Sequence, residues 1–143
     1  MEIRALENNS LIIENLEVHY GPIISLRGVN LSIRTGQTVT LLGANGAGKS
    51  TLLKTISGIL SPSKGSIIFE NDSIVGKEPS IIVSKGLAHV PEGREIFPLL
   101  TVKQNLLLGA YSRRDQSEVK QDFTQILSYF PDLKRFIDLE AKV

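Results

Sequence analysis

The chain has 143 residues, of which 41% are apolar, 22% charged and 6% aromatic, a profile that fits one globular domain and excludes a disordered tail. Sixteen basic and fifteen acidic side chains leave a net charge of +1, so no overall field gathers nucleic acid or anionic lipid. The sequence holds no cysteine, which removes disulfide scaffolds, thiolate metal sites and cysteine nucleophiles and fits a reducing compartment. Glu2, Arg4, Glu7, Glu14 and Glu17 interrupt residues 1–20, leaving neither the apolar stretch of a signal peptide nor a membrane span there.

Residues 11–18 and 29–34 alternate roughly between apolar and polar positions, which predicts antiparallel strands with one solvated face, broken at Gly21-Pro22. Residues 38–42 (TVTLL) read as a further strand ending at Gly43, and residues 50–59 carry Leu52, Leu53, Ile56 and Ile59 at helical spacing. A turn at Pro62, Lys64 and Gly65 leads to a short strand around residues 67–69 and a polar bend at Asn71-Asp72. Residues 79–85 predict a short helix closed by Gly86, and residues 87–90 a short strand closed by Pro91. Thr101 with Gln104 forms a capping-box pattern ahead of a helix. From about Gln116 to Phe130 a second helix places Val119, Phe123, Ile126, Leu127 and Phe130 on one face. Basic and acidic groups balance over residues 111–143, favouring a solvated helical face over a nucleic-acid surface.

The chemistry lies in Gly43-Ala44-Asn45-Gly46-Ala47-Gly48-Lys49-Ser50-Thr51. The spacing is that of a phosphate-binding loop, and it sits between an expected strand and an expected helix. Glycines at 46 and 48 let successive amides converge on an anion that a side chain would block. The helix N-terminus adds unpaired donors and a favourable dipole. Lys49 is then expected at the β and γ phosphates, the Ser50 hydroxyl on Mg²⁺ and Thr51 beside the α phosphate. A Gly-x-Gly-x-x-Gly dinucleotide fingerprint does not fit these positions, so the expected ligand is a nucleoside triphosphate.

With that loop in place, the chain resembles the nucleotide-binding subunits of ABC transporters over essentially its whole length. Val18-His19-Tyr20-Gly21 matches the family's adenine-stacking segment, which implies that Tyr20 covers the purine face. Val90-Pro91-Glu92-Gly93-Arg94 followed by Ile96-Phe97-Pro98 and Leu100-Thr101-Val102 is similar to the ATPase subunits of branched-chain amino acid importers, the LivF type; urea-importer subunits look alike. Glu92 stands where the family usually has a glutamine, and either side chain offers an oxygen to Mg²⁺ or its water. Arg94 is expected at the surface or between subunits, and Ile96 and Phe97 either face a transport partner or are buried in the helical subdomain.

The resemblance implies an α/β phosphate-loop NTPase: an ATP-binding core with an antiparallel β subdomain over residues 1–90, and a glutamine-loop region with the start of a helical subdomain over residues 91–143. It implies ATP and Mg²⁺, transmembrane permease subunits, a second ATP-binding subunit, indirectly a substrate receptor, no nucleic acid, and a peripheral place on the cytoplasmic face of the membrane. Hydrolysis also needs a carboxylate at the end of an apolar strand. Ile67-Ile68-Phe69-Glu70 falls in the expected antiparallel subdomain, and Phe136-Ile137-Asp138-Leu139-Glu140 suits an amphipathic helix. No Leu-Ser-Gly-Gly signature occurs, and His19 and His89 read as ordinary strand residues. A C-terminally truncated ABC ATPase that binds ATP without efficient turnover is the expectation. A regulatory nucleotide-binding module that never hydrolyses is the alternative.

Overall fold

The computed structural model describes residues 9–93 and 95–142. These pack as two units, one ending at His89 and the other beginning at Val90.

In the first unit, β1 (Asn9–Tyr20) and β2 (Ile23–Arg34) form a long hairpin closed at Gly21-Pro22, the break expected from the glycine and proline. Strand β3 (Lys64–Phe69) joins the other edge of β1, and β4 (Asp72–Ser73) completes an antiparallel sheet ordered β2-β1-β3-β4. Glu70 and Asn71, both at positive φ, make the tight β3–β4 turn, a conformation that asparagine tolerates better than most residues. Ile67-Ile68-Phe69 is therefore antiparallel, as expected.

Strand β1 buries Leu11 and Ile13, then Leu16 and Val18. The parity changes because a bulge at Glu14-Asn15, with Asn15 at φ 48°, inserts an extra residue, and a bulge restores the apolar side chains to the inner face. Gly65 lies against it: an added Cβ would stand 2.5 Å from Glu14 O and 2.6 Å from Asn15 O. Helices α1 (Lys49–Ile56) and α2 (Pro79–Ser84) supply Leu52, Ile56 and Ile82 to the same core.

Two expected strands are absent. Residues 38–42 and 87–90 have no strand assignment, and Leu42 and Val90 are 90% and 89% exposed. Their composition suits a buried strand, but a strand exists only through a ladder partner, and no described residue pairs with either. Nor is His89 a strand residue: its Nδ1 lies 3.1 Å from Ser57 Oγ, just past the end of α1.

The second unit contains α3 (Val102–Leu108), α4 (Gln116–Tyr129) and a 3-10 helix over Pro131–Arg135. Thr101 and Gln104 form the capping box reciprocally, Gln104 N donating to Thr101 Oγ1 at 3.1 Å and Thr101 N to Gln104 Oε1 at 2.8 Å. Along α4, Val119 is buried and Phe123, Ile126 and Leu127 are half-buried, but Phe130 caps the C-terminus at 60% exposure. Residues 136–140 do not form the expected amphipathic helix. Their carbonyls return to the start of α3, Val102 N donating to Leu139 O and Lys103 N to Ile137 O, with Thr101 bridged to Glu140. The first-turn amides of α3 supply a better partner than local helical bonds to so short a segment.

Candidate functional site

The loop at residues 43–48 leads into α1 through Gly48, which caps the helix in the left-handed conformation at φ 89°. Leu52 N closes the first helical bond on Gly48 O at 2.9 Å, and no side chain caps the N-terminus. The first-turn amides, at Lys49, Ser50 and Thr51, therefore have no intrahelical partner and lie at the helix end that the loop enters. That is the arrangement an anion requires.

The glycines serve for two different reasons. At Gly46, φ is +83° and an added Cβ would meet nothing within 4 Å, so the backbone conformation alone demands glycine. At Gly48 the Cβ would stand 2.6 Å from Leu26 Cδ2 and 3.1 Å from Ser25 O. The loop is pressed against β2. Ala47 N donates to Ala44 O at 3.2 Å, and Asn45 lies exposed in the turn between them.

Lys49 Nζ reaches back across the loop, donating to Gly43 O at 2.7 Å and Ala44 O at 2.8 Å. Its ammonium thus lies against the loop it belongs to, and its third donor has no partner among the described residues. Ser50 is exposed and Thr51 buried on the first turn. Sequence reasoning missed Ser25, whose Oγ lies 2.9 Å from Thr51 Oγ1; no periodicity flags a hydroxyl on a distant strand.

Tyr20 is 46% exposed at the end of β1 and pairs across the hairpin with Ile23, 67% exposed, next to Ile24 at 40%. This apolar ledge is the kind of surface that covers a purine face. No hydrogen bond joins Tyr20 to the loop among the described residues; the tie is β2, which begins beside Tyr20 and packs on Gly48 through Leu26.

A magnesium ion needs hard oxygen ligands and keeps several waters, relying on substrate phosphates for the rest. No group of three or more acidic or histidine ligands that could hold a metal ion occurs among the described residues, so these residues form no cage of their own. A single exposed hydroxyl at Ser50, beside a phosphate cradle, fits an ion delivered on a nucleotide.

In the second unit Glu92 is exposed in a bend, and Arg94 lies outside the described residues. Asn105 was not anticipated: Oδ1 accepts from Phe97 N at 2.9 Å, while Nδ2 donates to Phe97 O at 3.0 Å and Thr101 O at 3.0 Å. It pins the 97–101 loop to α3. Ile96 and Phe97, 43% and 59% exposed, line a groove of about 410 Å³ with Val102, Leu106 and Leu133. At the other end of α3, Arg113 pairs with Asp115, Asp122 and Glu118. The Arg113 guanidinium holds the Asp115 carboxyl well below the carboxylate range, while Asp115 beside it raises Glu118. One cation faces three carboxylates here, so the cluster itself is net negative, although basic and acidic groups balance over residues 111–143 as a whole. No described helix is long and apolar enough to cross a membrane.

A glycine-lined anion cradle opening a helix, buttressed by an antiparallel sheet, defines a phosphate-loop nucleotide-binding class. The ABC transporter family pattern matches residues 26–140, and the chain belongs to that family. It is 42% identical over 92% of its length to the high-affinity branched-chain amino acid transport ATP-binding protein BraG of Pseudomonas aeruginosa, of which it covers 56%. It is 35% identical over 73% of its length to the ribose import ATP-binding protein RbsA 2 of Rhizobium meliloti, covering 20% of that protein. A crystal structure of an ATP-binding cassette of an ABC transporter in its ADP conformation superposes with a TM-score of 0.77 at 29% identity, covering 93% of this chain and 57% of that one. The chain thus spans about half the length of BraG and of this cassette.

Proposed function

We propose that residues 43–51 bind Mg·ATP, and that the chain is the ATP-binding part of an importer subunit energising uptake of branched-chain amino acids. The observation that carries the binding site is the uncapped N-terminus of α1 behind a left-handed Gly48, with the Lys49 ammonium held against the loop. Gly43, Asn45, Gly46, Ala47, Gly48 and Lys49 line the cradle, Ser50 meets the magnesium, Thr51 supports the phosphate chain and Tyr20 stacks on adenine. When bound, the ion neutralises phosphate charge; the protein's share is orientation of the phosphates by fixed amides and by Lys49.

Branched-chain amino acids are favoured as cargo by the 42% identity to BraG and by the Val90-Pro91-Glu92-Gly93-Arg94 segment. A sugar importer, of the kind the ribose relative represents, is the second reading. Residues 1–90 act as the nucleotide-binding core with its β subdomain, and residues 91–143 as the glutamine-loop region and helical subdomain. Glu92 is assigned to the magnesium's water shell, and the groove at Ile96 and Phe97 to a permease subunit at the cytoplasmic face of the membrane. Hydrolysis is assigned to a dimer with a second ATP-binding subunit and needs a carboxylate at the end of an apolar strand; Glu70, which follows β3 in the antiparallel sheet, is not assigned that role.

Calorimetric titration with Mg·ATP tests the site. The wild-type chain takes up nucleotide, and Lys49→Ala weakens it by about tenfold or more. A folded wild-type chain that takes up none at millimolar Mg·ATP refutes the reading.

A further inference from the structure

Thr51 is 8% exposed on the first turn of α1. Its backbone carbonyl accepts from Thr55 Oγ1 at 2.8 Å, and its own Oγ1 lies 2.9 Å from Ser25 Oγ. Ser25 stands on β2 beside the phosphate loop, its carbonyl oxygen 3.1 Å from the place a Cβ on Gly48 would occupy. The serine lies 26 positions away from Thr51 in sequence and outside the loop motif.

A hydroxyl carries one proton and two acceptor pairs. Between two facing hydroxyls, one donates and the other accepts, and the choice decides what each can offer a third group. If Thr51 gives its proton to Ser25, it presents only lone pairs to an anion. If Ser25 gives its proton to Thr51, the Thr51 proton is released to a phosphate oxygen, which at neutral pH is chiefly an acceptor. Without a neighbour on β2, a helical threonine is free to turn its proton back onto the carbonyl four residues earlier.

We propose that Ser25 is a positioning residue for the nucleotide: by donating to Thr51 Oγ1 it makes Thr51 a hydrogen-bond donor to the phosphate chain and couples β2 to the cradle. This rests on the reading of residues 43–51 as a Mg·ATP site and extends that site to the strand behind it. Ser25 acts through Thr51 and is not assigned a contact with the nucleotide.

Calorimetry of the 143-residue chain with Mg·ATP and with Mg·ADP tests this in the wild type, Ser25→Ala, Ser25→Cys, Thr51→Val and the Ser25→Ala/Thr51→Val double variant. Unfolding midpoints are measured alongside without nucleotide. Ser25→Ala is expected to raise Kd about tenfold for both nucleotides, as loss of one hydrogen bond to a charged group does. Ser25→Cys, of similar size and with only a weak donor, raises it several-fold and serves if the alanine variant does not fold. In the Thr51→Val background, Ser25→Ala adds less than about twofold. A purely structural role for Ser25 would lower the midpoint and leave Kd unchanged, and that result overturns the inference. So does an equal loss of affinity in both Thr51 backgrounds. Wild-type binding that Lys49→Ala weakens but neither Ser25 variant alters leaves the nucleotide site standing and rejects the role of Ser25; no binding by the wild type rejects both.

Discussion

The two glycines of the phosphate loop offer a controlled pair, because they share a backbone conformation and differ in surroundings. Gly46 has φ +83° with nothing within 4 Å of an added Cβ, whereas at Gly48, φ +89°, the Cβ would sit 2.6 Å from Leu26 Cδ2 and 3.1 Å from Ser25 O. An alanine at either position carries the left-handed penalty of about 1–2 kcal/mol. At Gly48 it must also displace a buried leucine or move the backbone, an overpacking cost of about 1–3 kcal/mol. Gly46→Ala is therefore expected to cost about 1–2 kcal/mol and Gly48→Ala about 2–5 kcal/mol, the difference measuring how tightly β2 presses on the loop. Urea unfolding followed by far-ultraviolet circular dichroism reads both. Leu26→Ala removes the methyl that meets the new Cβ, so Gly48→Ala should cost less in that background, by about 1 kcal/mol or more. Equal costs at the two glycines, with no relief from Leu26→Ala, would refute the claim that contact with β2 adds to the backbone requirement.

Two further outcomes can be checked. Hydrogen bonds from Lys77 and then Lys85 bring the Asp72 carboxyl from its ordinary 3.8 down to about 2. The folded value lies below the unfolded one, so the contribution is complete above about pH 5, declines as pH falls through 4 toward 2, and is lost below that. Asp72→Asn should flatten acid unfolding in that window, and 1 M salt should shrink the difference because the group is exposed; an unchanged acid slope counts against the ion cluster. Thr101→Ala removes the hydroxyl arm of the α3 capping box and should cost about 1 kcal/mol, with faster amide exchange at Gln104, while Thr101→Ser should retain the protection. Unaltered exchange at Gln104 in the alanine variant would show that the cap does not hold α3.

The parts legible in the sequence were those whose cause lies within a few residues. The β1–β2 hairpin follows from two alternating runs and Gly21-Pro22, the start of α3 from Thr101 and Gln104, and the phosphate loop from glycines that alone adopt its backbone at positions 46 and 48. Other features needed the chain folded. Residues 38–42 and 87–90 have the composition of strands, yet a strand is made by its hydrogen-bonding partner, and none of the described residues provides one. The bulge at Asn15, which swaps the buried parity of β1, shows in sequence only as an imperfect alternation.

The sequence by itself determined that a glycine-rich loop with phosphate-binding spacing opens a helix, because spacing and backbone freedom suffice for that. Tertiary structure alone decided what stands behind the cradle: Leu26 against Gly48, Ser25 against Thr51, and His89 against Ser57. These contacts join positions with no periodic relation along the chain, and packing of the sheet against α1 brings the first two together. Such distances are set by the summed burial of a shared core, which no short window of residues records.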